Sequence, residues 1–366
     1  MKHEHHSGTI AYYITPHGFG HAVRSLEVTR CLLEHDPELE IILVSDIPEF
    51  LVEQNVGKSL PFRRKRLDVG LIQKDSLRYD LGATLEALQD LHAHRKALIS
   101  EESAFLQSQA IDLVVADIPA LPFYAASRSG IPSIGLGNFT WDWIYRDYAS
   151  SDPAWEPLVH FMREGYGLCD SFLQLPMHGD CSACPRIVDV PLVTRTTGRT
   201  REEVRRILGF SCDLKAYLIA FGYLDLDADA QKKIEDMDGA VFFYKHPLHY
   251  QFSNGRSLDD MDLTFPEVVA AMDGVITKPG YGIIADCLAH GIPMIYSERG
   301  LFAEYDVLVH EMERHLTTVY MPARSLYAGE WKDALNQLET LTRRIPQIRK
   351  DGAEVCARAI LERLKR

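Results

Sequence analysis

Short runs rich in apolar and β-branched residues alternate with helical stretches along the whole chain, and this constrains the fold more than any other feature. In the first half the runs fall at 8–15, 40–45, 111–116, 131–136 and 170–175; in the second they fall at 215–221, 240–245, 273–277, 291–296 and 316–320. Several are continuous apolar runs, as expected of strands covered by helices on both faces. Such alternation implies parallel sheets joined by right-handed crossovers. Two units of this kind fit 366 residues, whereas one continuous sheet would be unusually wide.

An internal echo supports two units. Residues 112–134 read "DLVVADIPALPFYAASRSGIPSI" and residues 273–295 read "DGVITKPGYGIIADCLAHGIPMI". They align without a gap and match at Asp112/Asp273, Val114/Val275, Gly130/Gly291, Ile131/Ile292, Pro132/Pro293 and Ile134/Ile295. Each reads as strand, turn, helix, a glycine that ends the helix, then a second strand. The tips differ. The first strand ends on Asp117 and the second on Lys278, where open α/β sheets present their ligand-binding groups. The boundary between the units falls after "IVDVPLV", in the polar, positively charged connector "TRTTGRTREEV" at about 193–200, where Thr200 and Glu203 form a capping box for the next helix. An N-terminal Rossmann-like domain at 8–193 and a C-terminal one at 200–345 follow, with ligands expected in the cleft between them.

Composition narrows the function. Apolar content of 46% and charged content of 25% are those of a soluble globular protein. A net charge of −13 argues against a nucleic-acid partner, since phosphate binding leaves a basic footprint. The one basic run, "RRKR" at 63–66, reads as an edge or solvated strand face. No stretch approaches the roughly 18 apolar residues of a transmembrane helix, and "TIAYYI" is too short for a secretory signal. Seven cysteines without an extracellular framework point to free thiols in the cytoplasm. His178, Cys181 and Cys184 in "HGDCSACP" are spaced like zinc ligands but lack a fourth ligand and a second paired set. "HEHH" at 3–6 reads as a tail with incidental metal affinity. No metal site is expected.

The first candidate site is "YITPHGFGHAVRSLEV", residues 13–28. Gly18 and Gly20 allow a sharp turn and a close approach of backbone to ligand. A helix starting near His21 aims free N–H groups and its positive dipole end at that ligand. A histidine there is disfavoured as a cation, which suits a general base. Asp117, at another strand end of the same sheet, is placed to hold the opposite ring nitrogen. His17 or His21 alone is better explained by capping or packing; the pair in one Gly-rich turn, with an aspartate available, is better explained by chemistry.

The second is "TKPGYGIIAD". Gly280, Tyr281 and Gly282 lie between a strand ending at Thr277 and a helix running through Ala289. Backbone amides and a helix N-terminus there make an anion site, to which Lys278 adds a point charge. Asp286, one turn into the helix, is within reach of a ribose. A helix start needing glycines for close packing is the alternative. Gly222 and Tyr223, in "FGY" after the first strand of this half, approach the same ligand. Other motifs fall short. "GKS" at 57–59 lacks the upstream glycine of a phosphate loop, with Val52 in its place. "GFG" is only part of a dinucleotide fingerprint, and "DLDAD" at 225–229 is a triplet expected by chance in so acidic a chain.

These residues resemble those of GT-B glycosyltransferases, in the MurG-like branch that contains the peptidoglycan enzyme adding GlcNAc to lipid I. A closer likeness is to the glycosyltransferase-like N-terminal region of plant L-arabinokinase, carried by "YYITPHGFGHAVRS", "DVGLIQKDSLRYD", "NFTWDWIY" and "TKPGYGIIADCLAHGIP". The resemblance covers nearly the whole chain from about residue 8. It implies α/β architecture with two Rossmann-like domains facing across a cleft, and a helix within 346–366, at about 351–364, returning to the N-terminal domain. It implies His21 as base and Asp117 as its orienting partner. Gly280 to Gly282 then take the diphosphate, Arg299 lies near the phosphates or sugar, and Glu304 near the donor-sugar hydroxyls. Asp286 stands where the family has a ribose-binding glutamate, one methylene longer. His17 has no equivalent in most of the family. Asn138, Trp141 and Asp142 of "NFTWDW" fall on the acceptor side, where Trp141 serves equally as a sugar platform or as core.

The expected protein is thus a metal-independent inverting glycosyltransferase with a UDP-sugar as co-substrate, no other cofactor and an unidentified acceptor. Its acceptor loops are placed at about 62–100 and 138–165. A UDP-sugar 2-epimerase of the same fold and a non-catalytic nucleotide-sugar sensor are the rivals. The former needs more acidic groups than the second half supplies.

Overall fold

The computed structural model describes residues 8–75, 77–195, 197–210, 213–300 and 302–365, so that "HEHH" lies outside the described residues. The chain separates into two compact units. One gathers the described residues of Met1–Ile72, Asp80–Thr194 and Arg349–Arg366; the other gathers those of Gln73–Tyr79 and Arg195–Ile348.

The first unit is built on strands β1 (Thr9–Ile14), β2 (Glu40–Ser45), β3 (Phe62–Arg64), β4 (Leu113–Asp117), β5 (Ser133–Gly137), β6 (Ser171–Gln174) and β7 (Ile187–Asp189). They lie in the order β3-β2-β1-β4-β5-β6-β7, every pairing parallel. The central strands are apolar and almost wholly enclosed, from Ile10 to Ile14 and from Leu113 to Ala116. Helices cover both faces, as their continuous hydrophobicity requires. The basic run contributes the edge strand β3, where Arg63 pairs with Glu102, and Arg64 with Asp46 and Glu49. Helix Gly352–Leu364 packs on helix Phe19–His35 within this unit and buries Ala353, Cys356, Ala357 and Ile360.

The second unit carries β8 (Lys215–Ala220), β9 (Ala240–Tyr244), β10 (Gly255–Ser257), β11 (Gly274–Thr277), β12 (Met294–Tyr296) and β13 (Thr318–Tyr320). Their order is β10-β9-β8-β11-β12-β13, again all parallel. The capping box at Thr200 and Glu203 is present.

The two echoing segments occupy equivalent places. β4, helix Leu121–Ser129 and β5 in one sheet correspond to β11, helix Tyr281–His290 and β12 in the other. The helices end on Gly130 and Gly291 with φ of 68° and 64°, left-handed values that glycine adopts without a Cβ penalty. Each sheet order also reverses direction once, between β1 and β4 and between β8 and β11. Loops at such a reversal run to opposite faces of the sheet and leave a crevice at the C-terminal strand ends. Each unit therefore has one favoured ligand position.

Candidate active site

In the first unit that position is held by the Gly-rich turn after β1 and by the end of β4. Gly18, with φ 76° and ψ 160°, leads into the helix, which begins at Phe19, two residues ahead of the start near His21 that the sequence suggests; Gly20 lies in its first turn. No side chain caps this end. His21 Nδ1 lies 2.7 Å from Asp117 Oδ1, and both residues are buried.

The aspartate is held by more than the histidine. Arg24 Nε donates to Oδ2 at 2.7 Å and Nη2 to Oδ1 at 2.6 Å, while Ser25 Oγ donates to Oδ2 at 2.8 Å. His21, Arg24 and Ser25 stand at i, i+3 and i+4, one face of a helix, so a single helical turn delivers all three to one carboxylate. Burial alone would raise the pKa of Asp117, but the Arg24 guanidinium and then the His21 ring hold it well below the usual carboxylate range. Arg24 Nη2 is also 2.8 Å from His21 Nδ1. In that triangle Asp117 is the anionic acceptor and a guanidinium can only donate. The consistent arrangement has His21 donating Nδ1–H to Asp117, which leaves the lone pair on Nε2. That is the tautomer a general base needs.

Around this pair the remaining first-half residues are packed. His17 Nδ1 accepts the Leu71 N–H at 3.3 Å, and its ring meets Trp141 edge-on at 5.2 Å. The backbone comes this close because residue 70 is glycine: with φ 70°, a Cβ there would lie 2.5 Å from His17 Nδ1. Trp141 has 0% of its surface exposed; it stacks on Tyr145 and donates Nε1–H to Asp68 Oδ2 at 2.9 Å, so it presents no ring face to solvent. Asn138 Oδ1 accepts from Arg24 Nη1 at 2.7 Å. Asp142 is buried beside Arg163, its carboxyl pushed up by burial. Arg24, Ser25 and Asp68 were not singled out from sequence. The polar face of "HAVRS" was the available signal for the first two.

In the second unit the same position is occupied by the end of β11. Gly280 precedes helix Tyr281–His290, whose N-terminus has no side-chain cap, and Gly282 lies in its first turn. Thr277 Oγ1 donates to the Ala220 carbonyl at 2.7 Å, tying the ends of β11 and β8 together. Beyond β8, Gly222 and Tyr223 are exposed. Burial, and then the neighbouring Arg299, push the Lys278 amine down to about 7, with Asp75 opposing. Arg299 Nη1 donates to the Pro279 carbonyl at 3.3 Å and lies 3.6 Å from Glu304 Oε2. Lys278, Gly280, Arg299 and Glu304 thus form one cluster with two cationic side chains and a helix N-terminus, suited to an anion with several oxygens. Asp286 lies elsewhere on the helix, and Arg195 binds both of its oxygens.

The two sheets, each flanked by helices and each with its site at the strand-order reversal, are the two Rossmann-like units of the GT-B architecture. Known structures agree. The glycotransferase of kitacinnamycin superimposes with a TM-score of 0.63 at 14% identity, covering 98% of this chain and 95% of that one. The calicheamicin glycosyltransferase CalG4 gives 0.60 at 14% identity over 97% and 94% of the two chains. Arabidopsis thaliana UGT89C1, solved with UDP-L-rhamnose, gives 0.60 at 12% identity over 98% and 94%. Among curated proteins the chain is similar to L-arabinokinase of Arabidopsis thaliana, 29% identical over 350 residues. That match takes in 90% of this chain and 32% of the relative, so the chain spans about a third of its length. No family model matches. Among the described residues no group of three His, Cys, Asp or Glu side chains is arranged to hold a metal ion, and no helix is long and apolar enough to cross a membrane.

Proposed function

We propose that this chain is an inverting glycosyltransferase that moves a sugar from a UDP-sugar to an acceptor hydroxyl without a metal ion. The observation that carries the reading is the His21–Asp117 contact of 2.7 Å, with Arg24 and Ser25 completing the carboxylate's hydrogen bonds. In the reaction His21 Nε2 takes the acceptor proton as the acceptor oxygen bonds to the anomeric carbon. The bond from that carbon to the diphosphate oxygen breaks on the opposite side, which inverts the configuration. Asp117 stabilises the imidazolium as it forms, as in other oriented histidine bases. The departing diphosphate gathers negative charge, and the amides at Gly280 to Gly282, Lys278 and Arg299 offset it. Glu304 accepts from sugar hydroxyls, and Tyr223 with Gly222 borders the nucleotide. A ribose contact by Asp286 requires exchange with Arg195.

The similar Arabidopsis thaliana UGT89C1, solved with UDP-L-rhamnose, supports a uridine nucleotide. A panel of UDP-sugars incubated with the protein and simple acceptor alcohols tests the reading. Release of UDP with a glycoside of inverted anomeric configuration, read by NMR, is expected. Conversion of the UDP-sugar to its 2-epimer without acceptor would replace the reading with an epimerase. Tight binding with no turnover over hours would replace it with a sensor.

A further inference from the structure

The second unit includes a short segment that the chain supplies before the first unit is complete. Gln73–Tyr79 lies in sequence between β3 and helix Leu81–Ser108, yet it belongs to the unit of Arg195–Ile348. It is a small hairpin. Gln73 and Tyr79 form an antiparallel bridge, Lys74 N–H donates to the Arg78 carbonyl at 2.9 Å, and Asp75 Oδ1 accepts from the Leu77 and Arg78 amides at 2.8 and 2.9 Å. Leu77 is buried in the core of the second unit with Tyr217, Ile219 and Phe221.

The hairpin is bonded to the loop that carries Arg299. Gly300 N–H donates to the Leu77 carbonyl at 2.8 Å, and the two backbones approach so closely that a Cβ on residue 300 would lie 2.9 Å from that oxygen. The Arg299 guanidinium carbon sits 4.3 Å from the Phe302 ring centre and 5.5 Å from that of Tyr79, and the two rings are 5.5 Å apart. The Glu304 carboxylate lies 3.6 Å from the guanidinium, an ion pair longer than a hydrogen bond. Beside the Pro279 carbonyl, which accepts from Nη1, two ring faces help to fix this cation.

Resting on the nucleotide-sugar reading above, we propose that Tyr79 is a positioning residue for Arg299, so that the diphosphate cluster of the second unit is complete only with the hairpin Gln73–Tyr79 in place. A cation already held before binding loses less freedom when the diphosphate arrives. The sequence distance between the hairpin and the rest of the cluster also makes the site sensitive to changes in the first third of the chain.

The test uses the full chain, with UDP, uridine and inorganic diphosphate as separate probes in calorimetry. Tyr79→Leu is expected to weaken UDP and inorganic diphosphate by about five- to tenfold, the scale of a partly desolvated cation–π contact, and to leave uridine unchanged. Tyr79→Phe, which keeps the ring, is expected to bind like the unmodified protein. A merely structural role for Tyr79 would lower affinity for uridine as well. If Tyr79→Leu does not fold, Gly300→Ala decides, because its methyl pushes on Leu77 from the other side, and the same diphosphate-selective loss is expected. Unchanged UDP affinity in the variant that folds overturns the hairpin's role and leaves the nucleotide reading standing. Binding of inorganic diphosphate but not of UDP overturns the nucleotide reading and leaves the hairpin to be judged on inorganic diphosphate. Binding of neither probe overturns both.

Discussion

Asp117 binds four groups through two oxygens, and two of them belong to one buried guanidinium. Replacing it with asparagine leaves Arg24, 3% exposed, without its counter-charge. Removing one partner of such a pair costs about 3–5 kcal/mol, so Asp117→Asn is expected to lose that much stability in urea unfolding at pH 7. The sign with pH is fixed. The folded pKa is depressed, so the contribution is present above the unfolded value near ~3.9 and is lost only as pH falls through the folded value. The carboxylate's own ionisation therefore adds no pH dependence to its contribution between about pH 5 and 8.

Lys278 behaves in the opposite way. With its amine at about 7, it is charged below that pH and neutral above it. An anion binds the charged form better and raises its pKa, so UDP affinity is expected to fall as pH rises through about 7. Asp75, which opposes the shift, lies below the usual carboxylate range because burial is outweighed by hydrogen bonds from Leu77 and Arg78, so it keeps its charge there. Lys278→Gln should weaken UDP binding at pH 6 and abolish the decline above pH 7, as read by calorimetry at several pH values.

Among the elements, each of the ten apolar runs holds a strand; nine are interior strands, which parallel sheets require to be apolar on both faces, and the tenth, β13, lies at an edge. β7 and β10 are not among those runs. Each is three residues long, lies at a sheet edge and is mostly exposed or half-buried, so its hydrophobic pattern is too short to read. The candidate site was legible where the backbone dictates it, at strand ends and glycine turns, the positions of His21, Asp117, Lys278 and Gly280. It was illegible where partners meet across long separations. Arg24 reaches Asp117 across 93 positions, Trp141 reaches Asp68 across 73, and Arg195 reaches Asp286 across 91. Nothing local marks those pairs. Helix Gly352–Leu364 makes an element-scale prediction of its own. Its removal uncovers helix Phe19–His35, which carries His21 and Arg24, so a chain ending at residue 348 should show faster hydrogen exchange over 19–35 with little change over 281–290.

For the whole molecule, the proposed function places proton removal on a residue of the first unit and diphosphate binding on residues of the second. These roles separate in a paired measurement on His21→Ala: the UDP dissociation constant, and the rate of UDP release from a UDP-sugar that the unmodified protein turns over. General-base help contributes about 10²–10⁴ in rate, so turnover is expected to fall by that factor while UDP affinity stays within about twofold of the original. Turnover that survives the substitution, or UDP affinity that collapses with it, would contradict the central claim.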